Sequence, residues 1–103
     1  MNDRLEQLTK MYQADSKDPF CTYGIAMEHA KADRHDDAIT WLDRTLDIDN
    51  HYCYAFYQKA KILSAKGDTD AASEILRAGM ETARAVNDQH ALSEMGELLS
   101  SIE

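Results

Sequence analysis

Apolar residues recur along the chain every three to four positions, which is the period of an amphipathic helix. Polar joints separate these stretches, and with one proline and four glycines the chain has few residues suited to long loops. The pattern predicts an all-α fold, a stack of antiparallel helix hairpins with about six helices. The predicted helices cover 4–14, 19–32, 36–48, 52–66, a fifth stretch that reaches Val86 and a sixth that follows Asn87 and reaches Ile102.

Residues with capping chemistry mark several joints. Asp18 precedes Pro19, which predicts an N-cap followed by proline at the first helical position, where its missing N–H has no cost. Asp68 or Thr69 is expected to cap the fifth helix and Asp88 the sixth. Gly67 ends the fourth helix, at a position where a left-handed conformation is expected.

The third and fifth predicted helices share a sequence pattern. The segment DDAITWL at 36–42 returns as DAASEIL at 70–76, so that Ala38 is matched by Ala72 at an offset of 72 − 38 = 34. A fixed period of this length is typical of stacked helical repeats.

These segments resemble the tetratricopeptide repeat, whose pattern is W-x2-L-G-x2-Y, then A-x3-F, then P. The small and apolar slots are filled by Ala26, Ala38 and Leu42 in one copy and by Ala60, Ala72 and Leu76 in the next. Small residues are needed where the two helices of a hairpin cross closely. The last helix fits an incomplete copy through Leu92, Met95, Gly96 and Leu99. The resemblance implies one domain over 1–103: two full repeats, 18–51 and 52–87, between an opening half-repeat, 1–17, and a capping helix, 88–103.

The chain departs from the pattern at five positions. Thr22 and His29 occupy the large aromatic slots of the first repeat, Lys59 takes a leucine slot, and Asn50 replaces the proline. Asp33 stands where the second repeat has Gly67, so we expect a strained left-handed aspartate there.

In this family the first helix of each hairpin lines a concave groove. The second and fourth helices here carry an extra stripe beside the core face, which a helix with one buried face does not require. Tyrosine joins a large apolar body to a polar tip and is favoured at interfaces. The alternative is that neighbouring helices and caps bury these rings. The candidate residues for binding a peptide or a partner helix are Phe20, Tyr23, Met27, Tyr54, Tyr57 and Lys61.

Chaperone-binding members of the family hold a C-terminal carboxylate with lysine, asparagine and arginine. That clamp is absent here, and Glu94 would repel a carboxylate. The matching face offers Tyr23, Met27, Gln58, His90 and Glu94.

The net charge of −8 is unfavourable for nucleic acid and for anionic membrane surfaces, and it suits a neutral or basic protein partner. No apolar run approaches the roughly 20 residues that span a bilayer. The first residues are polar and lack the apolar core of a signal peptide, so we expect a cytoplasmic protein.

The residues predict neither an enzyme nor a cofactor or metal site. Cys21 and Cys53 lie far apart in the sequence and in no metal-binding pattern, and His29, His35 and His51 have no helical pairing. Asp88, His90 and Ser93 could form a triad only if Asp88 were not the helix cap, and no nucleophile turn accompanies them.

The sequence therefore predicts a non-enzymatic adaptor that binds a protein or peptide. The alternative is a module that pairs with a second copy of itself through the same stripes or through an exposed end helix. The end residues relevant to that alternative are Leu98, Leu99, Ile102, Leu5 and Leu8.

Overall fold

A computed structural model describes residues 3–103 of the chain. Within that range the chain forms six α-helices and no strand, which confirms the predicted all-α fold. The predicted helix ends agree with the observed ones to within one or two residues. The helices are α1 (Asp3–Ala14), α2 (Pro19–Lys31), α3 (His35–Ile48), α4 (Cys53–Ala65), α5 (Thr69–Ala85) and α6 (Gln89–Ile102).

Aspartates begin three of these helices. The side chains of Asp18, Asp68 and Asp88 each accept a hydrogen bond from a backbone N–H two or three residues further on, at 3.0, 3.2 and 3.0 Å. Each bond satisfies a donor that the first turn of the helix leaves without a partner, and the carboxylate lies at the positive end of the helix dipole. Asp18 is the N-cap of α2 and Pro19 its first helical residue, as predicted, and Asp68 caps α5.

Three helices end in the same left-handed turn. Asp33, Gly67 and Asn87 have φ values of 59°, 88° and 60°, and the residue after each donates its N–H to the carbonyl five residues before it at 2.9 Å. This bonding is the Schellman motif, in which the residue past the helix end adopts positive φ. The predicted left-handed conformation of Asp33 is confirmed. The predicted fifth helix reaches Val86, but α5 ends at Ala85, and Val86 is the C-cap and is 43% exposed.

In the first unit, up to Asn50, α2 packs against both α1 and α3. Leu8, Cys21 and Ile25 form a buried cluster between α1 and α2. Ala26 and Ala38 are both fully buried, in the two slots where the repeat pattern requires a small side chain.

In the second unit, His51–Glu103, α5 packs against α4 and α6. Ala60 and Ala72, the repeat equivalents of the two alanines above, are also fully buried. Leu76 and Met95 belong to the same buried cluster.

The two repeats differ in one pair of residues that face each other between the two helices of the hairpin. In the first, the hydroxyl oxygens of Thr22 and Thr45 are 2.8 Å apart and both residues are fully buried. The equivalent positions of the second repeat are 22 + 34 = 56 and 45 + 34 = 79, which hold Phe56 and Gly79. A Cβ on Gly79 would lie 2.6 Å from the Cβ of Phe56 and 3.0 Å from its Cγ, so α4 and α5 approach too closely here for a side chain at residue 79. The departure at Thr22 is therefore matched by a change on the facing helix.

Candidate functional site

The six candidate residues occupy three positions of the repeat, each used twice. Since 20 + 34 = 54, 23 + 34 = 57 and 27 + 34 = 61, Phe20 corresponds to Tyr54, Tyr23 to Tyr57 and Met27 to Lys61. In each helix the three positions are three and four residues apart, so they share one face. We call Phe20, Tyr23 and Met27 the α2 stripe, and Tyr54, Tyr57 and Lys61 the α4 stripe.

The α2 stripe begins in the first turn of its helix. Phe20 directly follows the Asp18–Pro19 start of α2 and is 60% exposed, the largest exposed fraction of any large apolar residue among residues 3–103. Tyr23 and Met27 are half-buried on the same helix. An exposed phenylalanine next to half-buried neighbours gives this face an apolar character that a solvated helix does not need.

The α4 stripe is a series of side chains in contact. The rings of Tyr54 and Tyr57 meet edge to face with centroids 6.1 Å apart, and the Lys61 ammonium lies 5.6 Å from the Tyr57 centroid. Both rings also pack against the buried cluster of the second unit and are half-buried. The core thus covers one part of each ring and leaves another part in contact with solvent.

Helix α6 extends this face with a histidine and a carboxylate. The His90 ring centroid is 6.3 Å from that of Tyr54, with the planes tilted by 44°. Its Nε2 is 2.8 Å from Oε1 of Glu94, one turn further along α6. The repeat pattern placed His90 and Glu94 on the matching face, but it gave no sign that His90 would contact Tyr54.

The other candidate chemical groups are engaged in structural contacts. Nδ1 of His29 accepts a hydrogen bond from Nε of Arg34 at 2.8 Å. Burial and the Arg34 charge lower the pKa of His29, and the Asp37 carboxylate partly opposes them. Cys21 donates from Sγ to the Leu8 carbonyl at 3.0 Å, and burial, with smaller contributions from Asp18 and Asp15, raises the pKa of its thiol. A thiol held in this state is a poor nucleophile.

The residues that could form a triad do not come together as one. The Asp88 carboxylate accepts the backbone N–H of Ala91 at 3.0 Å, as a helix cap, and His90 pairs with Glu94. Among residues 3–103, no three His, Cys, Asp or Glu side chains form a group that could hold a metal ion. In the same range, none of the helices has both the length and the apolar character needed to cross a bilayer.

A solved structure whose family is known is similar to this chain in both fold and sequence. The solution structure of a tetratricopeptide repeat domain protein from Salinibacter ruber is 30% identical to this chain, covers 86% of it and 90% of its own length, and has a TM-score of 0.80. The chain belongs to the tetratricopeptide repeat family. No protein-family model matches this repeat protein, and no curated protein sequence matches it either.

Two more distant structures share the tetratricopeptide fold. The TPR2B domain of yeast Sti1, solved as a complex with pHsp70, is 21% identical over 95% of this chain and 78% of its own, with a TM-score of 0.89. The translocator chaperone SycD of Yersinia enterocolitica, solved in an alternative dimer, is 20% identical over 99% of this chain and 93% of its own, with a TM-score of 0.79.

Proposed function

We propose that this tetratricopeptide repeat protein is a non-enzymatic interaction module with two candidate surfaces for a peptide or a partner helix, the α2 stripe in the first unit and the α4 stripe in the second. The observation that carries the proposal is the repetition of one surface position. Phe20 and Tyr54, at equivalent places in successive repeats, both present aromatic rings beside a tyrosine one turn further on. A solvated helix face has no need of aromatic rings at the same place twice.

The character of the site favours a neutral or basic partner. The chain carries 19 acidic and 11 basic residues, so its field attracts positive charge. The Sti1 domain, which has the same fold, was solved with pHsp70, and this likeness supports a protein ligand here. The side chains of Cys21, His29 and Asp88 each take part in a structural hydrogen bond, which supports a function without catalysis.

The test selects peptides that bind the protein and then measures their binding after the two tyrosines of the α4 stripe are replaced. A random dodecapeptide library displayed on phage is selected against the immobilised protein, and an enriched peptide is titrated against Tyr54→Ala/Tyr57→Ala. We expect binding to fall by at least about a hundredfold, since two interface tyrosines are removed. The control is Val86→Ala, which removes exposed apolar surface at the end of α5. Equal binding by the wild type and the double variant, with circular dichroism unchanged, would reject the α4 stripe as the site.

A second candidate function is self-assembly, and two observations favour it. SycD has been solved as a dimer of the same fold, and Met11 and Phe20 expose 47% and 60% of their surface. The end residues named from the sequence are less suitable, because Leu8 is 1% exposed and Ile102 packs against the second unit's buried cluster. A charge at Leu8 would therefore unfold the protein before it dissolved an oligomer. Light scattering over a concentration series, on the wild type and Phe20→Asp, decides between a monomer and a dimer held by the surface around Phe20.

A further inference from the structure

Four side chains of the second unit form a connected group on the face of α4 and α6. Tyr57 meets Tyr54 edge to face, Tyr54 lies against His90, and His90 pairs with Glu94. We call these residues the α4–α6 cluster. It joins three π-systems to a carboxylate, which is the combination that attracts a cation bearing N–H donors.

The end of the cluster at α6 is open to solvent. The side chain of His90 is 78% exposed and that of Glu94 is 35% exposed. His90 contacts Oε1 of Glu94 at 2.8 Å, and a carboxylate has about four acceptor sites on its two oxygens. Glu94 can therefore accept further hydrogen bonds from a ligand while it holds His90 in place.

The surrounding charge also favours a cation at this end. The second unit holds eight acidic and five basic residues, a difference of 5 − 8 = −3. Lys61 is the basic residue of the α4 stripe, and its ammonium lies 5.6 Å from the centroid of Tyr57. Lys61 thus occupies the Tyr57 end of the cluster, whereas the carboxylate of Glu94 lies beside His90 at the other end.

Resting on the proposed function, we propose that the α4–α6 cluster binds the guanidinium group of an arginine side chain from the partner. The guanidinium plane stacks against Tyr54 and His90, and its N–H groups donate to Glu94. Arginine is favoured over lysine because its planar group stacks on aromatic rings, presents N–H donors in a fork and is more weakly hydrated. The arginine would fix the register of the bound segment along α4.

The dodecapeptide selection described above tests this assignment. We expect arginine to be enriched among the selected peptides, and Glu94→Gln to weaken a selected peptide about tenfold. Replacing that arginine by lysine in the peptide should weaken binding several-fold to the wild type but little to Glu94→Gln. Glu97→Gln is the matched control, because it removes the same charge from an exposed position three residues further along α6.

The outcomes separate this inference from the function on which it rests. Peptides that need Tyr54 and Tyr57 but show no arginine preference would overturn the arginine site and leave the proposed function standing. An equal loss in Glu94→Gln and Glu97→Gln would also overturn it, since the effect would then come from net charge. If no peptide depends on the tyrosines, the proposed function fails and the arginine site fails with it.

Discussion

The contact between Phe56 and Gly79 predicts that Gly79→Ala destabilises the protein although alanine is the better helix former. Gly79 lies inside α5 and is buried. A Cβ there would be 2.6 Å from Sδ of Met95, 2.6 Å from Cβ of Phe56 and 3.0 Å from its Cγ. The Met95 side chain can rotate away, but the Phe56 Cβ is fixed to the backbone of α4. The new methyl group can therefore be accommodated only if α4 and α5 move apart.

The magnitude follows from two opposing effects. Replacing glycine with alanine in a helix stabilises by about 1 kcal/mol. Overpacking of a close contact costs about 1–3 kcal/mol, and the upper end applies here because backbone must shift. The free energy of unfolding should fall by about 2 kcal/mol, which corresponds to a thermal midpoint lower by roughly 10 °C in a chain of this size.

Urea denaturation followed by circular dichroism measures this change, and Gly96→Ala is the control. Gly96 also lies inside a helix, but the nearest atom to its added Cβ would be Cε of Met80 at 3.7 Å, an ordinary contact. We expect Gly96→Ala to stabilise by roughly 0.5–1 kcal/mol. The same substitution should thus have opposite signs at two helical glycines. A midpoint for Gly79→Ala at or above that of the wild type would show that the added methyl group fits without moving α4 and α5 apart.

A double-mutant cycle tests the matching of the two repeats directly. Phe56→Thr with Gly79→Thr copies the pair that the first repeat uses, Thr22 with Thr45. Gly79→Thr should cost less when Phe56 is already replaced, because the ring that begins with Cγ at 3.0 Å is then gone. The Cβ of residue 56 remains, so we expect a coupling energy of only about 1 kcal/mol. Additive effects would mean that the two positions do not share a packing constraint.

Two further predictions concern Asp33 and His29, near the end of α2. Asp33→Gly should raise the free energy of unfolding by about 1 kcal/mol, because glycine adopts the observed φ of 59° without strain. Asn87→Gly, at φ 60°, should gain less, since asparagine tolerates this conformation. A lower thermal midpoint for Asp33→Gly would contradict this prediction. Burial and the Arg34 charge lower the pKa of His29 in the folded protein below the unfolded value of 6.5. The unfolded chain therefore binds the proton first as the pH falls, and the free energy of unfolding decreases below about pH 6.5. Urea midpoints at pH 7.5 and pH 5 should show this loss in the wild type and a smaller one in His29→Gln; equal pH dependence would exclude His29 as the cause.

The sequence predicted the fold because its signals are local or periodic. The fixed offset between Ala38 and Ala72, together with the Asp18–Pro19 helix start, requires no knowledge of tertiary contacts. The left-handed turn at Asp33 followed from its alignment with Gly67. Val86 was misplaced because helical spacing continues past the point where the left-handed Asn87 ends α5.

Features that depend on which side chains face each other could not be predicted in this way. Thr22 occupies a large slot of the repeat, and only the facing residue, Thr45, explains how a small residue fits there. The half-burial of Tyr54 arises from the core beneath it and from His90 on another helix. Periodicity shows that a residue lies on a face, but not how much of it the next helix covers.

The hypothesis to test is that the α2 stripe and the α4 stripe are each a binding surface of this repeat protein. The most direct measurement is a titration of the isotope-labelled protein with a selected dodecapeptide, followed by amide chemical shifts in NMR spectra. We expect the largest shifts within one stripe, at residues 20–27 or at residues 54–61, and binding at 54–61 should also shift 90–94 on α6. Largest shifts on the exposed faces of α3 and α5, with α2 and α4 unchanged, would contradict it.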